Sequence, residues 1–170
     1  FDVSTHETAP GGLTFNNEGT KMFVVGENFK EVIEYTLTTP FDVSSASFVD
    51  SFDVVGQVWR PRDVAFNNDG TKMFVVGHND EVDEFILSTG FDLSSTITYV
   101  GAFNVSTQDD TPTGVTFNND GTKMFVVGSG SGNVNEYTLS CAFKVTASST
   151  CDAPQKIKEV RGIVDAQINT

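Results

Sequence analysis

One eleven-residue phrase governs what this chain can fold into. Asn-Asn-Asp-Gly-Thr-Lys-Met-Phe-Val-Val-Gly stands at Asn67–Gly77 and recurs letter for letter at Asn118–Gly128. Asn16–Gly26 repeats it with Glu18 in place of Asp. The copies lie 51 residues apart, and other landmarks keep step: Phe1, Phe52 and Phe103; Pro10, Pro61 and Pro112; Phe15, Phe66 and Phe117. A fixed period of this length means stacked supersecondary units, each burying its apolar face against the next.

Each unit reads as four strands. Strand a ends at a phenylalanine, as in Gly12–Phe15, Asp63–Phe66 and Gly114–Phe117. Asn-Asn-Asp/Glu-Gly follows as a tight turn in which glycine supplies the positive φ. Strand b, Met-Phe-Val-Val, is apolar on both faces, as a strand buried between neighbouring sheets must be. Strands c and d alternate, with Ile33, Tyr35 and Leu37 on one face of c and Phe48, Phe52 and Val54 on one face of d. No crossover helix separates the units, which excludes a parallel βαβ arrangement. The fold class is therefore all-β: three four-stranded antiparallel β-propeller blades, with the phenylalanine excess (15 against one Trp and three Tyr) filling the blade-to-blade core.

The Asn67–Gly77 phrase resembles the strand–turn–strand of WD40-like, YVTN and lactonase-like propeller repeats. The whole unit, down to the Phe-Asp-Val-Ser-Ser of Phe41–Ser45 and Phe-Asp-Leu-Ser-Ser of Phe91–Ser95, is similar to tandem repeats of large marine bacterial surface proteins. The resemblance implies fold and an exported, surface-held setting, and says little of activity. The acids and histidine of lactonase-type catalysis have no counterpart placed by the sequence, so a non-enzyme is expected.

Closed propellers have four to eight blades, so three invite completion. Either further blades precede these or two chains close a six-bladed ring. The propeller segment is expected over residues 1–151. Over 152–170, Asp152 and Pro154 read as a helix start, with Ile157, Val160, Ile163, Val164 and Ile168 at helical spacing. That tail is similar to helical linkers preceding autotransporter barrels.

Twenty acidic residues face seven basic ones before Asp152, and the chain carries a formal charge of −13. Such a surface argues against nucleic acid and against direct contact with anionic membranes. No run approaches the roughly 18 apolar residues of a membrane helix. Cys141 and Cys151 flank a short stretch and fit one local disulfide, which implies an oxidising compartment, with two reduced thiols as the alternative.

The copies differ chiefly in two loop sets: d–a (Ser4–Ala9, Val55–Arg60, Ser106–Thr111) and b–c (Glu27–Glu31, His78–Glu81, Ser129–Asn133). Both belong on one face, around the channel mouth, where rigid scaffolds carry function. Trp59, Arg60 and Arg62 suit a sugar ring or a protein anchor. His6 and His78 with Asp80 and Glu81 suit a transition metal, but no third ligand recurs at known spacing. Asp109 and Asp110 join Glu27, Glu31, Asp80 and Glu81 in an acidic rim that suits calcium, otherwise no cofactor is expected. The reading is a non-enzymatic extracellular module that binds a protein or glycan through this face. The alternatives are a lactonase-like hydrolase with a metal at the channel mouth, and a structural spacer.

Overall fold

A computed structural model describes residues 1–157. Blade one comprises β1 (Pro10–Phe15), β2 (Lys21–Gly26), β3 (Glu31–Leu37) and β4 (Ala46–Asp53). Blade two comprises β5 (Pro61–Phe66), β6 (Lys72–Gly77), β7 (Glu81–Leu87) and β8 (Ile97–Asn104). Blade three comprises β9 (Pro112–Phe117), β10 (Lys123–Gly128), β11 (Val134–Thr138) and β12 (Gln155–Lys156). Each sheet pairs its strands antiparallel in chain order. The first strands of successive sheets lie beside one another, β1 by β5 and β5 by β9, so they line a common axis. The three-blade expectation holds.

The turn between the first two strands works as its sequence requires. Gly19, Gly70 and Gly121 sit at φ +68, +71 and +68, where a side chain is disfavoured. The preceding asparagine closes the turn: Lys21 N–H donates to Asn16 Oδ1 (2.9 Å), Lys72 to Asn67 (2.9 Å) and Lys123 to Asn118 (2.8 Å). A phenylalanine ring then lies against each glycine. Phe41, Phe91 and Phe143 donate their N–H to the carbonyls of Gly19, Gly70 and Gly121. All three adopt φ values of +59, +55 and +49, an unfavourable backbone held by the surrounding contacts.

Met-Phe-Val-Val serves two seams at once, because successive strand side chains point to opposite faces. Phe23 and Val25 of blade one pack with Met73, Val75 and Phe85 of blade two. Phe74 and Val76 of blade two pack with Met124, Val126 and Tyr137 of blade three. Burying each such side chain stabilises by roughly 1.5–3 kcal/mol. A polar clasp crosses each seam as well. Lys21 Nζ meets Glu34 Oε1 at 2.7 Å, while Glu34 Oε2 accepts the Leu93 N–H (2.7 Å) and Lys21 donates to the Phe91 carbonyl (2.5 Å). Lys72 and Glu84 (3.3 Å) repeat it on the Phe143 carbonyl (2.6 Å) and the Val145 N–H (3.1 Å).

The expected C-terminal helix is corrected at its start. Asp152 and Pro154 open no helix; Gln155 and Lys156 instead pair with Thr138 and Tyr137 as the outer strand of blade three. The edge of β11 offers unpaired backbone groups that a passing segment can bond. The rest of the predicted helix lies outside the described residues. The Cys141–Cys151 disulfide is formed, with Cα atoms 5.6 Å apart. No helix among the described residues is long and apolar enough to cross a membrane.

Candidate functional site

Strand register puts both variable loop sets on one edge of the blades. Pro10 pairs with Gly26 and Glu31 with Asp53, so the d–a and b–c loops of each blade emerge together. In blade two this edge collects a compact group. Arg62, from the innermost strand β5, donates from Nε to Nε2 of His78 at 3.0 Å. Its Nη1 lies 2.5 Å from Glu27 Oε1, and Arg60 Nε lies 2.8 Å from Glu27 Oε2. One carboxylate from blade one thus bridges two guanidinium groups of blade two. The Arg60 guanidinium lies 5.6 Å from the centre of the Trp59 ring, which stands edge-on to His78 at 6.0 Å. Trp59 remains 57% exposed. Desolvation, and then the charges of Arg62 and Arg60, hold the His78 imidazole below its ordinary pKa despite Glu27 and Asp80. A neutral imidazole beside two guanidinium groups can bind an anion and accept a proton.

The other candidate residues have different surroundings. His6 does not approach the group as a second ligand; it stacks on Phe48 of the outer strand β4, ring centres 4.0 Å apart. Asp80 adopts φ +58, and its carbonyl accepts the Val105 N–H (2.8 Å). The Glu81 carboxylate lies 3.4 Å from Asn79 Nδ2. Asp109 is buried and accepts four bonds, from the N–H groups of Thr111 (2.9 Å), Gly130 (3.3 Å) and Ser131 (3.0 Å) and from the Ser131 hydroxyl (2.5 Å). Asp110 is exposed beside it. Among the described residues no three His, Cys, Asp or Glu side chains are arranged to hold a metal ion.

Two acids escaped the sequence reading. Asp83 is fully buried on β7, where burial pushes its pKa up to about 6. Asn79 Nδ2 donates to it at 2.9 Å. The Tyr99 hydroxyl lies near this carboxyl, its own pKa raised to about 12 by desolvation and then by the Asp83 charge. Asp63, on β5, accepts the Val115 N–H of blade three at 2.9 Å, and burial raises it too. The signal was present in the copies. Asp83 stands where blades one and three carry Ile33 and Asn135, and Asp63 where they carry Gly12 and Gly114.

No family model matches the sequence, and no curated protein matches it either. Solved structures do. A protein assigned as a 6-phosphogluconolactonase from Bacteroides uniformis superposes with a TM-score of 0.58 at 10% identity, over 86% of this chain and 39% of its own. The periplasmic gluconolactonase of Pseudomonas aeruginosa gives 0.56 at 15% identity, over 86% and 41%. A luciferin-regenerating enzyme gives 0.53 at 18% identity, over 72% and 38%. The chain spans less than half the length of these neighbours. At such identities the likeness is one of fold. The expected non-enzymatic binding, adhesion or scaffold module is corrected here: these three neighbours are named as enzymes, two of them lactonases, in line with the hydrolase alternative. The fold is a lactonase-like β-propeller.

Proposed function

We propose that these three blades belong to a lactonase-like hydrolase that opens a cyclic ester carrying an acidic group. The observation that carries this reading is the Arg62–His78 pair, bridged through Glu27 to Arg60 at the mouth. A carboxylate or phosphate on the substrate competes with Glu27 for the two guanidinium groups, whose planar forks suit such anions. When Arg62 turns to the substrate, His78 Nε2 loses its donor and is free as a base. The depressed pKa keeps it unprotonated at neutral pH. His78 then takes a proton from the water that attacks the ester carbonyl. The ring C–O bond breaks, and the leaving alkoxide receives that proton, giving a hydroxy acid.

An oxidising compartment is part of the same proposal, supported by the Cys141–Cys151 disulfide. The likeness of the repeats to bacterial surface proteins supports an extracellular setting in particular. The test is hydrolysis of a phosphorylated aldonolactone beside its neutral analogue, followed by acid release. The phosphorylated lactone is expected to turn over faster. His78→Ala and Arg62→Ala are each expected to lower the rate by about 10²-fold or more, with unfolding midpoints little changed. Absence of hydrolysis above the buffer rate for both lactones would sink the reading.

A further inference from the structure

The two ends of the blade row are halves of a single seam. Inside the chain that seam occurs twice, and its partners are fixed by the repeat. One blade gives a Phe and a Val from strand b, a Val from strand c and a Lys–Glu clasp. The next blade receives them with Met, Val, an aromatic and Leu, and offers the Phe-Asp-Val/Leu backbone to the clasp.

Blade three carries the giving half once more. Val127 and Val134 are 43% and 71% exposed, whereas Val25, Val76, Val32 and Val82 at the equivalent positions are all at 0%. Lys123 and Glu136 pair at 2.5 Å with side chains 45% and 33% exposed, against 23% and 0% for Lys72 and Glu84. A hollow of about 310 Å³ lies on this face, between Asp63, Val115, Val127 and Val134.

Blade one carries the receiving half. Phe41 and Val43 are 60% and 40% exposed, where Leu93 and Val145, the equivalents of Val43, are at 4% and 1%. A second hollow of about 260 Å³ lies there, between Leu13, Met22, Val24 and Val43. Phe1 stands edge-on to Tyr35 at 5.2 Å, as Phe52 stands to Phe85 (5.7 Å) and Phe103 to Tyr137 (5.4 Å). Phe1 therefore already occupies the place that the outer strand of a preceding blade takes in both internal seams.

We propose that the occupant of the blade-three face is a second copy of this chain, docked through its blade-one face. Lys123 then donates to the partner's Phe41 carbonyl, and Glu136 accepts the partner's Val43 N–H, as at the two internal seams. The Asn ladder continues likewise. Asn17 Nδ2 donates to the Asn68 carbonyl and Asn68 Nδ2 to the Asn119 carbonyl, each at 2.7 Å, which leaves Asn119 to donate to the partner's Asn17. The contact is head-to-tail. Repeated once it closes two chains into a six-bladed ring, within the usual four to eight. This inference does not rest on the hydrolase reading.

The experiment is the solution mass of the 170-residue chain by light scattering across a concentration series. Twice the chain mass of 18.4 kDa is expected. Val127→Asp with Val134→Asp spoils the giving face, and Phe41→Ala with Val43→Asp spoils the receiving face. The residues concerned are exposed in the single chain, so circular dichroism should be unchanged. Each variant alone is expected to associate at least tenfold more weakly. Mixed, the two should pair again, because the intact face of one meets the intact face of the other. A single-chain mass for the wild type up to millimolar concentration would overturn the proposal. So would variants that keep the doubled mass, or a mixture no heavier than its components.

Discussion

One of the exchanges that set the mouth of blade two apart from those of blades one and three changes how the loops are held. At equivalent positions stand Glu7, Val58 and Asp109, all buried. In blade one Glu7 accepts the N–H groups of Ala9 (2.7 Å), Asn28 (3.3 Å) and Phe29 (3.1 Å), tying the d–a loop to the b–c loop. Asp109 does the same in blade three through Thr111, Gly130 and Ser131. The Val58 side chain can accept nothing. Blade two therefore leaves its b–c loop to other partners: Asn79 reaches Asp83 and the Gln57 carbonyl, and His78 reaches Arg62. Blades one and three use a buried carboxylate to anchor their loops, and blade one adds Glu27 to the group on blade two. The blade without that anchor has a histidine and two arginines at its mouth. In a molecule of near-identical repeats, the copy that departs is where function has room.

The largest effect should come from breaking the anchored type. Burial alone would raise the pKa of Asp109, but the bonds from Ser131, Thr111 and Gly130 outweigh it and hold it below the ordinary value. Asp109→Ala removes every acceptor and leaves three backbone donors in a partly buried loop. A loss of about 2–4 kcal/mol is expected from the urea midpoint. Its depressed pKa gives that contribution a sign with pH. The stabilisation is present above about pH 4, the usual unfolded value, and fades as pH falls through the folded pKa. A loss in Asp109→Ala that did not shrink in acid would break the comparison, because the carboxylate would then not be the anchor.

How much of this was legible follows from the range of each interaction. The repeat announced blades, turns and seams, since Phe23, Phe74 and their neighbours do the same work at the same spacing. It also directed attention to Trp59, Arg60, Arg62 and His78. It did not show that Glu27, more than thirty residues away and on another blade, would join the two arginines. It presented Asp109 as part of an acidic rim, because an anchoring carboxylate and a solvated one are the same letter. The helix start at Asp152 and Pro154 misled for a related reason. Capping and helical spacing are local patterns, whereas the pairing of Gln155 and Lys156 with Thr138 and Tyr137 depends on an open strand edge elsewhere in the sequence.

The next effect sharpens the comparison from the side of blade two, whose acid has moved from the loop to strand β7. Burial raises Asp83 from about 4 to about 6. The folded state thus holds a proton that the unfolded chain has already lost over that interval. The associated stability is complete below the unfolded pKa and is lost as pH rises through the folded one, so at pH 8 a buried charge opposes folding. Asp83→Asn keeps an acceptor for Asn79 and carries no charge. It should stabilise by about 1–3 kcal/mol at pH 8 and give no gain at pH 4, judged from midpoints at both values. A gain independent of pH would mean that packing, not ionisation, distinguishes this position from Ile33.

The smallest effect concerns the mouth group itself, where stability should scarcely respond. The Arg62 side chain is 29% exposed and its pairings with Glu27 and His78 are only partly shielded, so Arg62→Ala should cost about 1 kcal/mol. The informative readout is the His78 titration, followed by NMR of the imidazole. Desolvation is the chief cause of its depressed pKa, with the Arg62 charge second and the Arg60 charge third. Removing Arg62 deletes one repulsive charge and opens the imidazole to water. Both changes raise the pKa toward its ordinary value, while Arg60 keeps part of the depression. Arg60→Ala should move it the same way by less. Were the Arg62→Ala titration to stay in place, the Nε–Nε2 contact would have no electrostatic hold on His78, and blade two would lose the feature that sets its mouth apart from the other two.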